Sequence, residues 1–212
     1  MRRPVFIAEQ ARNASGPLGR LIAFVMARET WGDNLAAIDA LNLQTTDHVL
    51  DIGCGHGRAL GELARRAPSG RIAGADPSEL MVEIAVQRNR DLVRARRVDV
   101  AHAGVESLPY DDAAFDKALC VHGVYFWREL EPSFAEIARV LKPGGRVALV
   151  FRTSRSKATA AFPSEVYRFW SLSEVEQAMA RAGLARAIAH DVDETQRPIG
   201  ITGTRLDSSG HS

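Results

Sequence analysis

The sequence predicts an α/β fold built on one doubly wound, mostly parallel sheet, and three observations carry the prediction. From His48 onward, apolar strand-like runs alternate with helical segments, the pattern that builds parallel crossovers. The first such strand runs directly into three alternate glycines, Gly53, Gly55 and Gly57. Before residue 46 the periodicity is helical only, which places an N-terminal helical cap ahead of the sheet. With 212 residues, 46% of them hydrophobic and 25% charged, the chain has the composition and length of a single globular domain.

The elements follow in order. After a polar opening ending at Ser15-Gly16-Pro17, residues 18 to 42 read as helical, with Leu21, Phe24, Val25, Leu35, Ile38 and Leu41 at spacings near three and four. Trp31-Gly32-Asp33 breaks this stretch into two helices. The first strand is His48–Ile52, followed by a helix from Arg58 to Ala67. The second strand, Arg71–Asp76, leads to a helix from Glu79 to about Asn89 with Ser78 as its N-cap. A third strand spans Val98 to Ala103, a loop occupies Glu106 to Ala113, and a fourth strand runs from Phe115 to His122. A helix over Ser133–Val140 stops before Lys142-Pro143-Gly144-Gly145, which reads as a tight turn. The strand Arg146–Phe151 comes next. Ser173 with Glu176 has capping-box spacing at the start of a helix to about Ala182, ending at Gly183. Strands Leu184–His190 and Ile199–Thr204 bring the sheet to seven, and Asp207–Ser212 is a polar tail expected to be disordered.

Composition excludes several functions. Lys plus Arg (27) nearly balance Asp plus Glu (26), so no overall basic field gathers nucleic acid or an anionic membrane. The run Arg88, Arg90, Arg94, Arg96 and Arg97 is a local exception, read as a solvated helix end complementing the dipole more readily than as a phosphate site. Two cysteines, Cys54 and Cys120, without CxxC spacing, indicate neither a disulfide framework nor a zinc site; no metal is expected, and a reducing cytoplasm fits. The apolar run from Val5 to Ala8 is too short for a signal peptide, and Leu21 to Ala27 falls far below the roughly 20 residues that span a bilayer. That second run is expected to be an amphipathic helix packed on the fold, with contact to a lipid surface as the lesser reading. The expected chain is therefore soluble and cytoplasmic, without stable membrane insertion, and free to form a homodimer.

In a doubly wound sheet, ligands sit beyond the carboxyl ends of the strands, near the point where strand order reverses. Four segments occupy that position: Asp51–Gly57, Asp76–Ser78, Gly104–Glu106 and Cys120–Trp127. The glycine-rich turn lets backbone N–H groups approach a ligand at a helix N-terminus, although a tight strand-to-helix turn alone would use the same residues. Asp76 can accept hydrogen bonds from both hydroxyls of a ribose; read alone, it is equally a helix-capping acid. Together these signals indicate a nucleoside without choosing among nucleosides.

Four motifs make the choice. Asp51-Ile-Gly-Cys-Gly-His-Gly57, Asp76-Pro-Ser with Met81 after it, Glu106-Ser-Leu-Pro-Tyr-Asp-Asp-Ala-Ala-Phe-Asp116 and Arg139-Val-Leu-Lys-Pro-Gly-Gly145 together resemble the class I S-adenosylmethionine-dependent methyltransferases. The likeness extends from about residue 46 to 185 and is closest to the small-molecule branch with the ubiquinone/menaquinone-type enzymes. It implies a Rossmann-like core over 46–152, a substrate-side linker and closing strands over 153–206, and S-adenosyl-L-methionine as cofactor. By the same resemblance, Gly53 and Gly55 pass beneath the methionine and ribose, and Asp51 orients the ammonium group directly or through water. Cys54 and Gly57 complete that turn. Asp76 holds the ribose, and Pro77 and Met81 pack on the adenine. Val105 and Glu106 lie at the adenine edge, with the Cys120 backbone near the methionine. The family often has an acid two positions before this Glu; here it is Gly104, so a backbone or water contact must substitute.

Transfer of an activated methyl group needs an aligned acceptor more than it needs acid–base chemistry, and positioning can supply several kcal/mol, up to roughly 7–11. His122 is a candidate base, with hydrogen bonding to the cofactor or backbone as the alternative. Tyr125 is a candidate for positioning the acceptor. Tyr125, Phe126 and Trp127, with Phe162, Tyr167, Phe169 and Trp170 downstream, supply aromatic surface; about half is expected to serve the core, and the remainder favours an apolar or aromatic acceptor. Residues 153–172 and the N-terminal helices are expected to roof the acceptor pocket. The Asp/Asn-Pro-Pro-aromatic tetrapeptide of base-amino methyltransferases is missing after the fourth strand. Competing readings are a cofactor-binding module without catalysis and, disfavoured by the GxGxG spacing, a nicotinamide-dependent oxidoreductase. Cys54 and Cys120, on strands expected to be neighbours, would crosslink on oxidation only if their Cβ atoms lie within about 4.5 Å.

Overall fold

The computed structural model describes residues 4–190 and 193–206; the expected disorder of Asp207–Ser212 concerns residues outside that range. Seven strands form one sheet: β1 (Val49–Ile52), β2 (Ile72–Asp76), β3 (Val98–His102), β4 (Phe115–Val121), β5 (Leu141–Phe151), β6 (Leu184–His190) and β7 (Ile199–Arg205). Their order across the sheet is β3-β2-β1-β4-β5-β7-β6. The first five are parallel, and β7 runs antiparallel between β5 and β6. The chain therefore winds outward from β1 in both directions, and the crevice beyond β1 and β4 is the point where strand order reverses.

Helices cover both faces. On one side lie α3 (Trp31–Ala40), α4 (Arg58–Arg66) and α5 (Glu79–Arg88), which bury Ile38, Leu60, Leu63 and Ala85 with Val49 and Leu119. On the other side α7 (Leu130–Val140) and α8 (Leu172–Arg181) bury Phe134, Ile137, Val175 and Met179 against Leu50, Ala118 and Leu149. Adjacent residues of β1 and β4 thus point into different layers, as strand pleating requires. Each fully buried large side chain contributes about 1.5–3 kcal/mol to this arrangement.

Several local features differ from the sequence expectation. Residues expected to be a polar opening form α1 (Val5–Arg12), which sinks Ala8 to 1% exposure. Helix α2 (Gly16–Glu29) follows, and the break lies at Thr30, so that Trp31-Gly32-Asp33 opens α3 rather than separating two helices. The inward faces expected of Phe24 and Val25 lie outside the described side chains. Helix α7 begins three residues before Ser133, because Pro132 falls in its first turn, where a missing N–H costs nothing. The capping box is Ser171–Glu174, not Ser173–Glu176: Ser171 Oγ accepts from Glu174 N at 3.2 Å, and Glu174 Oε2 accepts from Ser171 N at 2.8 Å. Both frames have the required spacing, and the one adopted opens the helix at Leu172 with Val175, Ala178 and Met179 buried. Lys142–Gly145 is a bulge inside β5, since Leu141 pairs with Phe115 and Arg146 with Lys117. The basic run forms the short α6 (Arg90–Arg94), and Arg97 turns inward to donate to the carbonyls of Gly70 at 3.0 Å and Ala67 at 2.9 Å, at the C-terminal end of α4.

Candidate active site

The glycine turn after β1 is held from two sides. Ala75 O accepts from Gly53 N and Cys54 N at 2.8 and 3.1 Å, and Asp76 Oδ2 accepts from Gly55 N at 2.8 Å. Gly53, Gly55 and Gly57 all take positive φ, of 73°, 51° and 71°, the region open to residues lacking Cβ. Gly57 has a second reason: a Cβ there would lie 2.7 Å from that of Ala85, and its carbonyl accepts from Asn89 Nδ2 at 2.8 Å. It packs α4 on α5 and does not line the cavity.

That cavity, of ≈ 610 Å³, opens beyond β1 and β4. Of the residues singled out in the sequence, Asp51, Gly53, Cys54, Gly55, Asp76, Pro77, Met81, Val105, Glu106 and His122 line it, while Gly57, Cys120 and Tyr125 do not. Asp51 and Asp76 are both buried, at 3% and 6% exposure. Burial, then the charge of Asp76, pushes the Asp51 carboxyl up to about 7. Burial also raises Asp76, against two backbone donors, Ser78 N at 2.9 Å and Gly55 N. The helix-capping and ligand-facing readings of Asp76 are therefore compatible, because a carboxylate has room for further donors beyond these two. Two buried carboxylates on one cavity wall suit a ligand that brings positive charge and hydroxyl groups.

At the far end of the same wall, Val105 is buried and Glu106 is exposed. A Cβ on residue 104 would lie 2.7 Å from Glu106 Oε2. The space opened by Gly104 is thus filled by the carboxylate two residues on.

The downstream motifs Glu106–Asp116 and Arg139–Gly145 are scaffolding for this edge. Arg139 donates to Glu136, to Asp112, and to the carbonyls of Leu108 and Tyr110, while Glu136 Oε1 accepts from Leu108 N. Lys142 Nζ reaches both oxygens of Asp116 at 2.8 Å, and Asp116 Oδ2 accepts from His48 N. The loop after β3 is therefore tied to the C-terminal turn of α7, and the start of β5 to β4 and through it to the residue before β1.

The opposite wall belongs to the cap. Asn13, Ala14, Thr30, Trp31 and Asn34 line the cavity, whereas residues 153–172, expected to share the roof, do not. Ser78 Oγ donates to Ala14 O at 2.7 Å, seating the α1–α2 junction over Met81. Arg58 at the start of α4 lies 4.0 Å over the Trp31 ring. Of the aromatic residues, Phe126 and Trp127 face the cavity; Tyr125, Phe162, Tyr167 and Phe169 pack on one another, with centroids 4.9 to 6.0 Å apart. The linker's own aromatics, Phe162, Tyr167 and Phe169, are thus spent on packing with Tyr125, and the linker contributes no roof.

His122, at φ 58° just after β4, is held at both ring nitrogens: Nδ1 lies 2.9 Å from Tyr125 Oη and Nε2 2.7 Å from Asp33 Oδ2. The Asp33 contact had no legible signal, since 89 residues separate the partners. Cys54 and Cys120 are free thiols packed into opposite core layers, so the structure does not bring them together. Burial pushes both thiols up, Cys120 to about 12. Among the described residues, no group of three or more metal-ligating side chains converges.

The methyltransferase-domain family matches residues 50–149, from β1 into β5. The ubiquinone/menaquinone biosynthesis C-methyltransferase of Geobacter sulfurreducens is 33% identical over 157 residues, 73% of this chain and 59% of that protein. The 27-O-demethylrifamycin SV methyltransferase of Amycolatopsis mediterranei is 33% identical over 175 residues, 78% of this chain and 63% of the relative. Matches cover from 32% to 75% of the length of the first curated relatives. In structure, the geranyl diphosphate C-methyltransferase of Streptomyces coelicolor superposes with a TM-score of 0.70 at 20% identity, over 82% of this chain and 77% of that one, which shows the shared fold. Sheet order, glycine turn and the match over residues 50–149 together give this chain a class I S-adenosylmethionine-dependent methyltransferase domain, with S-adenosylmethionine as cofactor.

Proposed function

We propose that the chain transfers the methyl group of S-adenosylmethionine to a small, apolar or aromatic acceptor by in-line displacement. The observation that carries this reading is the continuity of one cavity from Asp51 and Asp76 at the glycine turn to Trp31, Phe126, Trp127 and His122 beneath the cap. The sulfonium supplies an already activated methyl group; what remains for the protein is to hold the acceptor in line and keep water away. Asp51 is assigned to the ammonium group, Asp76 to the ribose hydroxyls, and Pro77 and Met81 to the adenine faces. Glu106, folded over Gly104, is assigned the adenine edge in place of the missing acid. The aromatic faces of Trp31, Phe126 and Trp127 in the lining favour an acceptor with an apolar or aromatic part, and Asn13, Thr30 and Asn34 offer polar partners beside them. The near balance of 27 basic and 26 acidic residues supports a small molecule over nucleic acid. Two buried free cysteines support a reducing compartment such as the cytoplasm, and among the described residues no helix is long and apolar enough to cross a membrane.

The test is transfer from methyl-labelled S-adenosylmethionine in a cell extract split into small-molecule, nucleic-acid and protein fractions. The reading expects label in an organic-extractable small molecule. Label confined to macromolecules would overturn the acceptor class, and no label anywhere would favour cofactor binding without catalysis.

A further inference from the structure

We propose that Asp33 is a positioning residue for the transfer: from the cap, it fixes which nitrogen of His122 carries the proton at the cavity wall. The inference rests on the methyl-transfer reading for its purpose and on hydrogen-bond geometry for its content.

The geometry leaves one consistent assignment for the neutral ring. Tyr125 Oη accepts the Arg152 N–H at 2.6 Å, so its own proton is free to be donated. His122 Nδ1, 2.9 Å away, is placed to accept it. Because a hydroxyl can equally accept from Nδ1, Tyr125 alone fits either tautomer; the acceptor-only carboxylate of Asp33, 2.7 Å from Nε2, is what requires the ring proton on Nε2 and leaves Nδ1 bare for the Tyr125 proton. The opposite tautomer would set the Nε2 lone pair against a carboxylate. Burial raises the Tyr125 phenol further above its ordinary range, which keeps its proton in place as a donor.

Location gives this arrangement a role beyond stability. His122 lines the cavity, with its side chain 17% exposed, whereas Asp33 and Tyr125 do not line it and act only through the ring. The histidine takes a left-handed backbone conformation, at φ 58°, which a non-glycine residue adopts only when its surroundings hold it. The following Gly123 has no room for a side chain, since a Cβ would lie 2.6 Å from Cys120 Sγ, and it approaches the Gly53 turn. The ring therefore stands beside the turn assigned to the methyl-bearing part of the cofactor. Asp33 is in the first turn of α3, and the adjoining Trp31 and Asn34 line the same cavity. Seating of the cap and the hydrogen-bonding state of His122 are thus one equilibrium. An acid in the first turn also suits the helix dipole, but that role needs no partner 89 residues away.

The test is long-range proton–nitrogen NMR of the full chain labelled with 15N-histidine, saturated with S-adenosylhomocysteine and recorded at successively higher pH until the ring nitrogen shifts no longer change. His122→Gln assigns the signal. The wild type is expected to show a single tautomer with the proton on Nε2. Asp33→Ala is expected to give a mixture of tautomers, and Asp33→Asn, which retains an acceptor oxygen, to restore the single one. A proton on Nδ1 in the wild type, or an unchanged single tautomer in a folded Asp33→Ala variant, would overturn the proposal. Should Asp33→Ala fail to fold, Tyr125→Phe decides: a ring still fixed as Nε2–H supports Asp33 as the determinant, and loss of that fixed tautomer overturns it. None of these readouts requires turnover, so failure to detect methyl transfer is recorded separately from failure of the Asp33 assignment.

Discussion

Asp76, at the end of β2, accepts the Gly55 N–H at 2.8 Å, so the acid facing the cavity and the glycine turn after β1 form one hydrogen-bonded unit. Asp76→Ala removes both the proposed ribose contact and a support of the turn. Affinity for S-adenosylhomocysteine is expected to fall by about 1.5–3 kcal/mol, roughly 10- to 150-fold. Calorimetry on a variant with unchanged circular dichroism reads this, and an unaltered dissociation constant would remove Asp76 from the site.

Asp51 makes the affinity depend on pH. Its carboxyl is pushed up to about 7 in the ligand-free chain, and the proposed pairing with the cofactor's ammonium requires the ionised form. Below about pH 7, binding must expel a proton, so affinity is expected to rise by up to about tenfold per pH unit and to level off above it. Asp51→Asn should flatten that profile. Stability of the ligand-free chain moves the other way: an acid whose folded pKa exceeds its usual 3.8 favours the folded state when protonated, and its contribution declines from about pH 4 to 7. Thermal unfolding of wild type and Asp51→Asn across that window checks the sign.

Gly57 and Gly55 separate packing from binding. A Cβ on Gly57 would meet Ala85 at 2.7 Å, while one on Gly55 meets nothing within 4 Å. Both carry the cost of a left-handed backbone, about 1–2 kcal/mol, and Gly57→Ala adds overpacking of about 1–3 kcal/mol. Gly57→Ala is expected to lower the melting temperature the more, and Gly55→Ala to lose cofactor affinity at modest cost in stability.

Arg139 is expected to act on the cofactor edge without touching it. Arg139→Ala frees the carbonyls of Leu108 and Tyr110 and loosens the loop carrying Glu106. Stability should fall by about 1–3 kcal/mol, with protease cleavage appearing between residues 106 and 113. Cleavage no faster than in wild type would contradict the scaffolding role.

The core of the fold was legible because its signals are local. Ser78 caps α5 and the Gly53–Gly57 turn is visible as spacing, while Val49, Leu50 and Leu119 announce buried strands. The misreadings share a cause. Ser171 and Ser173 offer overlapping capping frames, and tertiary burial of Met179 and its neighbours decides between them. The cap was the least legible part: α1 earns its place by burying Ala8, and Asp33 finds His122 only across the folded crevice. Tyr125 is singled out in the sequence by its place after the fourth strand, yet its hydroxyl is committed to His122 and Arg152, a pairing that no spacing reveals.

Titration of the purified chain with S-adenosylhomocysteine, and separately with NAD, tests the central claim most directly. Saturable binding of one S-adenosylhomocysteine per chain, weakened by Asp76→Ala and absent for NAD, is the predicted result. Binding of NAD, or no heat with S-adenosylhomocysteine from a folded chain, would contradict the assignment of the Asp51–Gly57 turn and Asp76 to this cofactor.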